Sequence, residues 1–81
     1  MKKFNEQRNV IGNLIKEYRE KKNYTKTRLS QKLELLGVEL DRFEIYKIEN
    51  GKMIVKDFEL IALSIVLEIP FDEIKKLVDF D

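Results

Sequence analysis

The sequence predicts an all-α fold, a compact bundle of five short helices within 81 residues. Three observations lead there. Glycine occurs only at Gly12, Gly37 and Gly51 and proline only at Pro70, too little punctuation for a chain of hairpins. Apolar residues recur three and four apart, the spacing that lines one side of a helix. Residues whose side-chain oxygens suit helix starts, Asn9, Thr25, Asp41 and Asp57, stand just ahead of such runs. Apolar residues make up 43% of the chain, which at this length fills one small core, so residues 1–81 read as a single domain with its core over 9–78.

Asn9 opens a first helix over about residues 10–22, in which Ile11, Leu14, Ile15 and Tyr18 form one buried stripe. Glu17 and Lys21 stand four apart on its outer face, a pair worth about 0.3 to 0.5 kcal/mol. Thr25 caps a second helix over about residues 26–36, burying Leu29, Leu33 and Leu36. Arg28 stands where a Glu would complete a reciprocal cap, so the Thr25 hydroxyl acts alone, and Gly37 ends the helix. Asp41 opens a third helix running to residue 49 or 50, with Ile45 and Ile48 inward and Gly51 as its stop.

Residues 52–56 form a connector whose Ile54 and Val55 pack against the body. Asp57 then caps a fourth helix to Leu67. Its Phe58, Leu60, Ile61, Ala62, Leu63, Ile65, Val66 and Leu67 make it apolar all round, the pattern of a central buried helix. Pro70 suits the first turn of a fifth helix, over about residues 71–78, with Phe71, Ile74, Leu77 and Val78. Helices this short are marginal alone, so mutual packing must hold them.

Composition narrows the function. The chain has 16 Lys plus Arg, 15 Asp plus Glu, and neither His nor Cys. Lacking imidazole and thiol, it has no Ser-His or Cys-His nucleophile pair, no ordinary zinc site and no disulfide. No metal or cofactor is expected, and the chain reads as a binding protein rather than an enzyme. No apolar stretch approaches the roughly 20 residues that span a bilayer, and none follows Met1, Lys2 and Lys3 as in a secretory signal. No membrane association is expected, and the expected location is the cytoplasm.

The net charge of +1 hides an uneven split. Residues 1–56 carry 14 basic and 8 acidic side chains, net +6, whereas residues 57–81 carry 2 basic and 7 acidic, net −5. A basic binding face joined to an acidic distal segment produces such a division, and so does a charge distribution that serves solubility alone.

Four strings carry more than periodicity: IGNLIKEYR at 11–19, YTKTRLSQKL at 24–33, EIYKIENGK at 44–52 and FELIALSIVL at 58–67. In order and spacing over residues 9–77 they resemble the phage-repressor and Cro-like helix-turn-helix family, often called XRE-like. The most specific part is IENG following a Thr-capped helix that bears Leu29 and Ser30. The resemblance implies a lambda-repressor-like DNA-binding domain. Its second helix, turn and third helix would form the reading unit, the third lying in the major groove and the second crossing the backbone. Leu29 to Ile45 takes 16 steps, more than in the compact phage members, residues 35–40 lengthening the second helix and the turn.

On a helical wheel centred on the inward Ile45, Phe43, Tyr46, Lys47 and Asn50 fall on the far side, with Arg42 toward the flank near the helix start. The resemblance places base reading at Arg42, Phe43 and Lys47, with Tyr46 beside them. Arg42 or Lys47 can donate to guanine, and Phe43 can meet either a thymine methyl or a protein partner. Lys26, Thr27 and Arg28 cluster at a helix start, where the dipole and free N–H groups favour phosphate. Asn50 and Lys52 are further phosphate contacts. Glu44 would repel phosphate, which argues for a structural role. The resemblance also pairs Arg19 with Glu49 across the first and third helices as a structural ion pair. Glu17 with Glu20, and Asp72 with Glu73, read as solvated faces rather than catalytic carboxylates.

The expected partner is double-stranded DNA, bound as a homodimer on a palindromic operator with reading helices about 34 Å apart. Lys2 and Lys3 stand where an arm along the groove would begin. The rival is an interaction module of the same fold, antitoxin-like, binding a protein partner through Phe43, Tyr46 and the apolar C-terminus. Phe71, Leu77, Val78 and Phe80 are more apolar than a tail needs, as core or as a dimer seam.

Overall fold

The computed structural model describes residues 7–78. The expectations for Lys2, Lys3 and Phe80 fall outside the described residues. Five helices make up the fold: α1 (Gly12–Lys21), α2 (Lys26–Glu34), α3 (Arg42–Glu49), α4 (Asp57–Leu67) and α5 (Phe71–Lys75). No strand occurs among the described residues. α1 and α2 each pack against both α3 and α4. Ile15, Leu29, Leu33, Leu40, Ile45, Ile48, Leu63 and Leu67 are fully buried at their junction.

Local chemistry sets the helix starts. Thr25 Oγ1 accepts the Arg28 N–H at 3.0 Å, a lone hydroxyl cap. α3 opens with a reciprocal cap: Asp41 Oδ1 accepts the Glu44 N–H at 2.8 Å, and Glu44 Oε1 accepts the Asp41 N–H at 3.0 Å. α1 begins two residues later than expected, at Gly12, yet Asn9 still serves its first turn. Asn9 Oδ1 accepts from the Ile11 N–H at 3.0 Å and the Gly12 N–H at 2.8 Å. For α4 the cap residue is Lys56, not Asp57, which is the first helical residue. There the buried Glu59 reaches back and accepts the Lys56 N–H at 2.9 Å.

Four expectations about burial need correction. Leu36 is 49% exposed because α2 stops at Glu34 and the chain turns through Gly37 at φ +80°. Val38 and Leu40 fill the core position instead. The extra residues between Leu29 and Ile45 therefore lie wholly in the turn, and α2 is not lengthened. Ile54 is exposed, while Val55 packs on the core edge.

α4 is not buried all round. Ala62, Leu63 and Leu67 face inward, but Phe58, Ile61 and Ile65 stand outward at 53%, 60% and 60% exposure. A helix apolar on every side carries no periodicity to reveal which side is covered, and only α1 and α2 pack heavily on this one. α5 is shorter than expected, its chain turning after Lys75. Ile74 and Leu77 pack on the core, whereas Phe71 is 72% exposed.

Candidate nucleic-acid interface

With Ile45 and Ile48 committed to the core, the α3 register sends Arg42, Phe43, Tyr46 and Lys47 to the surface. Phe43 is 64% exposed and Tyr46 is 50% exposed. Both rings carry a cation. The Arg42 guanidinium lies 4.9 Å from the Phe43 ring centroid, and Lys26 Nζ lies 6.0 Å from that of Tyr46. Such stacking, worth about 0.5 to 1 kcal/mol at exposed sites, holds long side chains over a face they would otherwise sweep.

The start of α2 and the start of α3 border one open concavity of about 450 Å³, lined by Thr25, Lys26, Thr27, Arg42, Phe43 and Tyr46, with Arg19 beneath. The first N–H groups of α2 have no acceptor within their own helix, so they and Lys26 offer a positive rim for an anion. Arg28 is exposed beside it. The concavity thus unites five of the expected contact residues: Lys26, Thr27, Arg42, Phe43 and Tyr46. Lys47 lies outside it, exposed further along α3.

Asn50 and Lys52 are not gathered there. Asn50 Nδ2 donates to the Tyr46 carbonyl at 2.8 Å, closing the end of α3, and the residue borders a separate polar recess with Gln7, Asn9 and Asn13. Lys52 follows Gly51 at the surface, its N–H donating to the Lys47 carbonyl at 2.8 Å.

Beneath this face α3 is fastened by directional contacts. Arg19 Nε donates to Glu49 Oε2 at 2.6 Å and Nη2 to Oε1 at 3.2 Å, a two-pronged pair with both side chains nearly inaccessible to water. Arg19 Nη1 also donates to the Tyr24 carbonyl at 2.8 Å. The hydrogen bonds it donates to Glu49 hold the Arg19 guanidinium pKa above its ordinary value, against the opposing effect of burial. Among the described residues no buried side-chain nitrogen or oxygen lacks a partner.

Two fastening residues escape sequence reasoning. Asn9 Nδ2 donates to the Ile48 carbonyl at 3.1 Å and to the Met53 carbonyl at 2.8 Å, tying the entry of α1 to the end of α3. Gly12 lets the two helices approach so closely that a Cβ there would lie 2.3 Å from the Ile48 carbonyl oxygen. Bonds to partners 39 and 44 positions away leave no local signature. Gly12 did leave one: a glycine inside a helix with no turn to make costs about 0.5 to 1 kcal/mol and points to a close approach.

The carboxylates sit apart from this face or are already engaged. Glu44 belongs to the α3 cap. Glu17 pairs with Lys21 at 3.1 Å, Asp72 with Lys75 at 3.3 Å and Glu73 with Lys76 at 3.1 Å, all at the surface. Among the described residues none form a cluster suited to a metal ion, and no helix is long and apolar enough to cross a membrane.

A family model described as helix-turn-helix, of the Cro/C1-like XRE type, matches residues 15–74. No curated protein and no solved structure matches the chain.

Proposed function

The chain belongs to the XRE-type helix-turn-helix family, whose members are DNA-binding regulators rather than enzymes, and from that premise we propose a sequence-specific repressor that binds a palindromic operator as a homodimer. The observation that supports it most is the concavity where Lys26 and Thr27 at the start of α2 meet Arg42, Phe43 and Tyr46 at the start of α3. In the proposed complex α3 lies in the major groove and α2 crosses the backbone. Lys26, Thr27 and Arg28 hold one phosphate, with the α2 dipole behind them. Lys52 and Asn50 face the next, for which Asn50 would exchange its bond to the Tyr46 carbonyl.

Arg42 and Lys47 donate to guanine O6 and N7, Phe43 packs against a thymine methyl, and Tyr46 steadies the backbone. Repression follows from occupying the site that another protein needs. A cytoplasmic location goes with this role.

Selection of bound sequences from a random duplex pool is the direct test, with an enriched palindrome as the expected result. Replacing Arg42 and Lys47 together by Ala is expected to weaken binding to that sequence by about 100-fold, since each good base contact is worth about 1 to 3 kcal/mol. If a dimer neutralises about six to ten phosphates, affinity falls about 10³ to 10⁵-fold between 50 and 200 mM salt. A flat salt response would overturn the proposal. The exposure of Phe43 and Tyr46 favours a second reading, an antitoxin-like contact with a protein partner. That contact, centred on Phe43, would survive the double substitution.

A further inference from the structure

We infer that Arg42 and Phe43 read DNA as one unit: the guanidinium takes a guanine, and the ring takes the 5-methyl group of a pyrimidine on the neighbouring base pair. This reading rests on the DNA-binding role proposed above and specifies what the face recognises. Arg42 and Phe43 are the first two residues of α3, and the reciprocal cap between Asp41 and Glu44 fixes the backbone beneath them. Both side chains are exposed, Phe43 at 64%. The Arg42 guanidinium lies 4.9 Å from the Phe43 ring centroid, and among the described residues no carboxylate pairs with it. A guanidinium that rests its flat face on a ring keeps its N–H groups, which lie in its plane, free to donate.

That separation limits what the pair can reach together. Successive base pairs stand about 3.4 Å apart along the duplex axis, so two steps take about 6.8 Å, more than the distance between the two groups. A guanine that accepts from Arg42 through O6 and N7 belongs to a pair without a methyl group, which leaves the next pair for Phe43. Thymine carries that methyl on C5, and cytosine methylated at C5 presents the same group in the same place. Lys47 has no such constraint, because it lies over no ring among the described residues and its ammonium is a point charge on a flexible stem. Phe43 is therefore a positioning residue for Arg42 as well as a contact for the methyl. Without the ring, the guanidinium samples several bases and discriminates guanine less.

Base analogues test this without disturbing the protein. In the duplex enriched from the random pool, each thymine beside a guanine pair is replaced by uracil, which lacks only the methyl, and its whole pair by cytosine or 5-methylcytosine opposite guanine. At one such position, wild-type affinity is expected to fall about 4-fold from thymine to uracil and to rise about 4-fold from cytosine to 5-methylcytosine, the effect of burying one methyl. Both differences are expected to vanish in Phe43→Ala. Replacing the neighbouring guanine by 7-deazaguanine, which lacks the N7 acceptor, is expected to lower wild-type affinity about 5-fold and to have no effect on Arg42→Ala. Phe43→Leu separates the two tasks of the ring. Leucine still packs on the methyl, so the uracil difference is expected to remain, but it cannot hold the guanidinium, so the 7-deazaguanine difference is expected to shrink to about 2-fold.

An enriched sequence in which no thymine beside a guanine pair responds to loss of its methyl would overturn the inference and leave the DNA-binding role standing. Equal binding of cytosine and 5-methylcytosine would do the same. So would a methyl response that persists in Phe43→Ala, or a 7-deazaguanine difference equal in the wild type and Phe43→Leu. Failure of the pool to enrich any sequence would remove both readings together.

Discussion

α3 and α4 both carry exposed aromatic or aliphatic side chains and both bury apolar ones, Ile45 and Ile48 on α3 and Ala62, Leu63 and Leu67 on α4, yet only α3 adds directional bonds to distant parts of the body. The inner side of α3 is tied by Arg19 to Glu49, by Asn9 to the Ile48 carbonyl, and by the close approach at Gly12. The inner side of α4 is held by Ala62, Leu63 and Leu67, with Glu59 closing its first turn. Directional bonds fix rotation as well as distance, whereas apolar packing tolerates small rotations at little cost. A helix that must present side chains to base edges needs the first kind of anchor, since such sites work only within about half an ångström. A helix whose outer face meets another apolar surface can do with the second.

The largest effect that tests this contrast is expected from Glu49→Ala. Leaving Arg19 buried without its carboxylate should cost on the order of 3 kcal/mol, read by chemical unfolding, with Arg19→Ala of similar size. Equal stability of both variants and the wild type would show that the ion pair does not anchor α3.

Next in size is Gly12→Ala. Its Cβ would meet backbone rather than a flexible side-chain end, so α1 and α3 must separate, at about 1 to 3 kcal/mol. The informative control is Gly37→Ala, where φ is +80° but nothing lies within 4 Å of the added carbon. That variant should cost about 1 to 2 kcal/mol, for backbone strain alone. In a DNA titration referred to the folded fraction of each variant, only Gly12→Ala should lower affinity, because only it moves α3.

The smallest effect concerns the end of α4. The Lys22 hydrogen bond holds the Glu68 carboxyl below its ordinary value, and Glu68 holds Lys22 above its own. The Glu68 contribution is therefore present above the ordinary carboxylate range and lost as pH falls through its depressed value. That of Lys22 is present below the ordinary lysine range and lost as pH rises through its raised one. Glu68→Gln should lower the melting temperature slightly at neutral pH and not at all in acid, where both proteins carry a neutral group. A constant difference at every pH would remove the ion pair as its cause.

Much of the fold was legible because its signals are local. Thr25 and Asp41 cap the helices they precede, and Gly37 and Gly51 end theirs at positive φ. The outward set on α3 follows from counting away from Ile45. The Arg19 to Glu49 contact was reached only through the family resemblance, since nothing within thirty positions of chain links the two. Leu36 was misplaced because its spacing suits a continuing helix, and only the left-handed turn at Gly37 takes it out of line. Asn9 was legible as a cap for α1, but not as a tie to α3, because its amide partners are distant carbonyls.

Helix positions, their caps and the sign of charge along the chain are thus written in short windows of residues, where backbone hydrogen bonds and side-chain periodicity act. Which side of α4 stays open, how closely α1 meets α3, and which cations share one concavity with Phe43 and Tyr46 depend on how helices stack. Stacking maximises burial over all the helices at once. For a helix apolar on every side, the covered face is chosen by its neighbours α1 and α2 and not by its own residues.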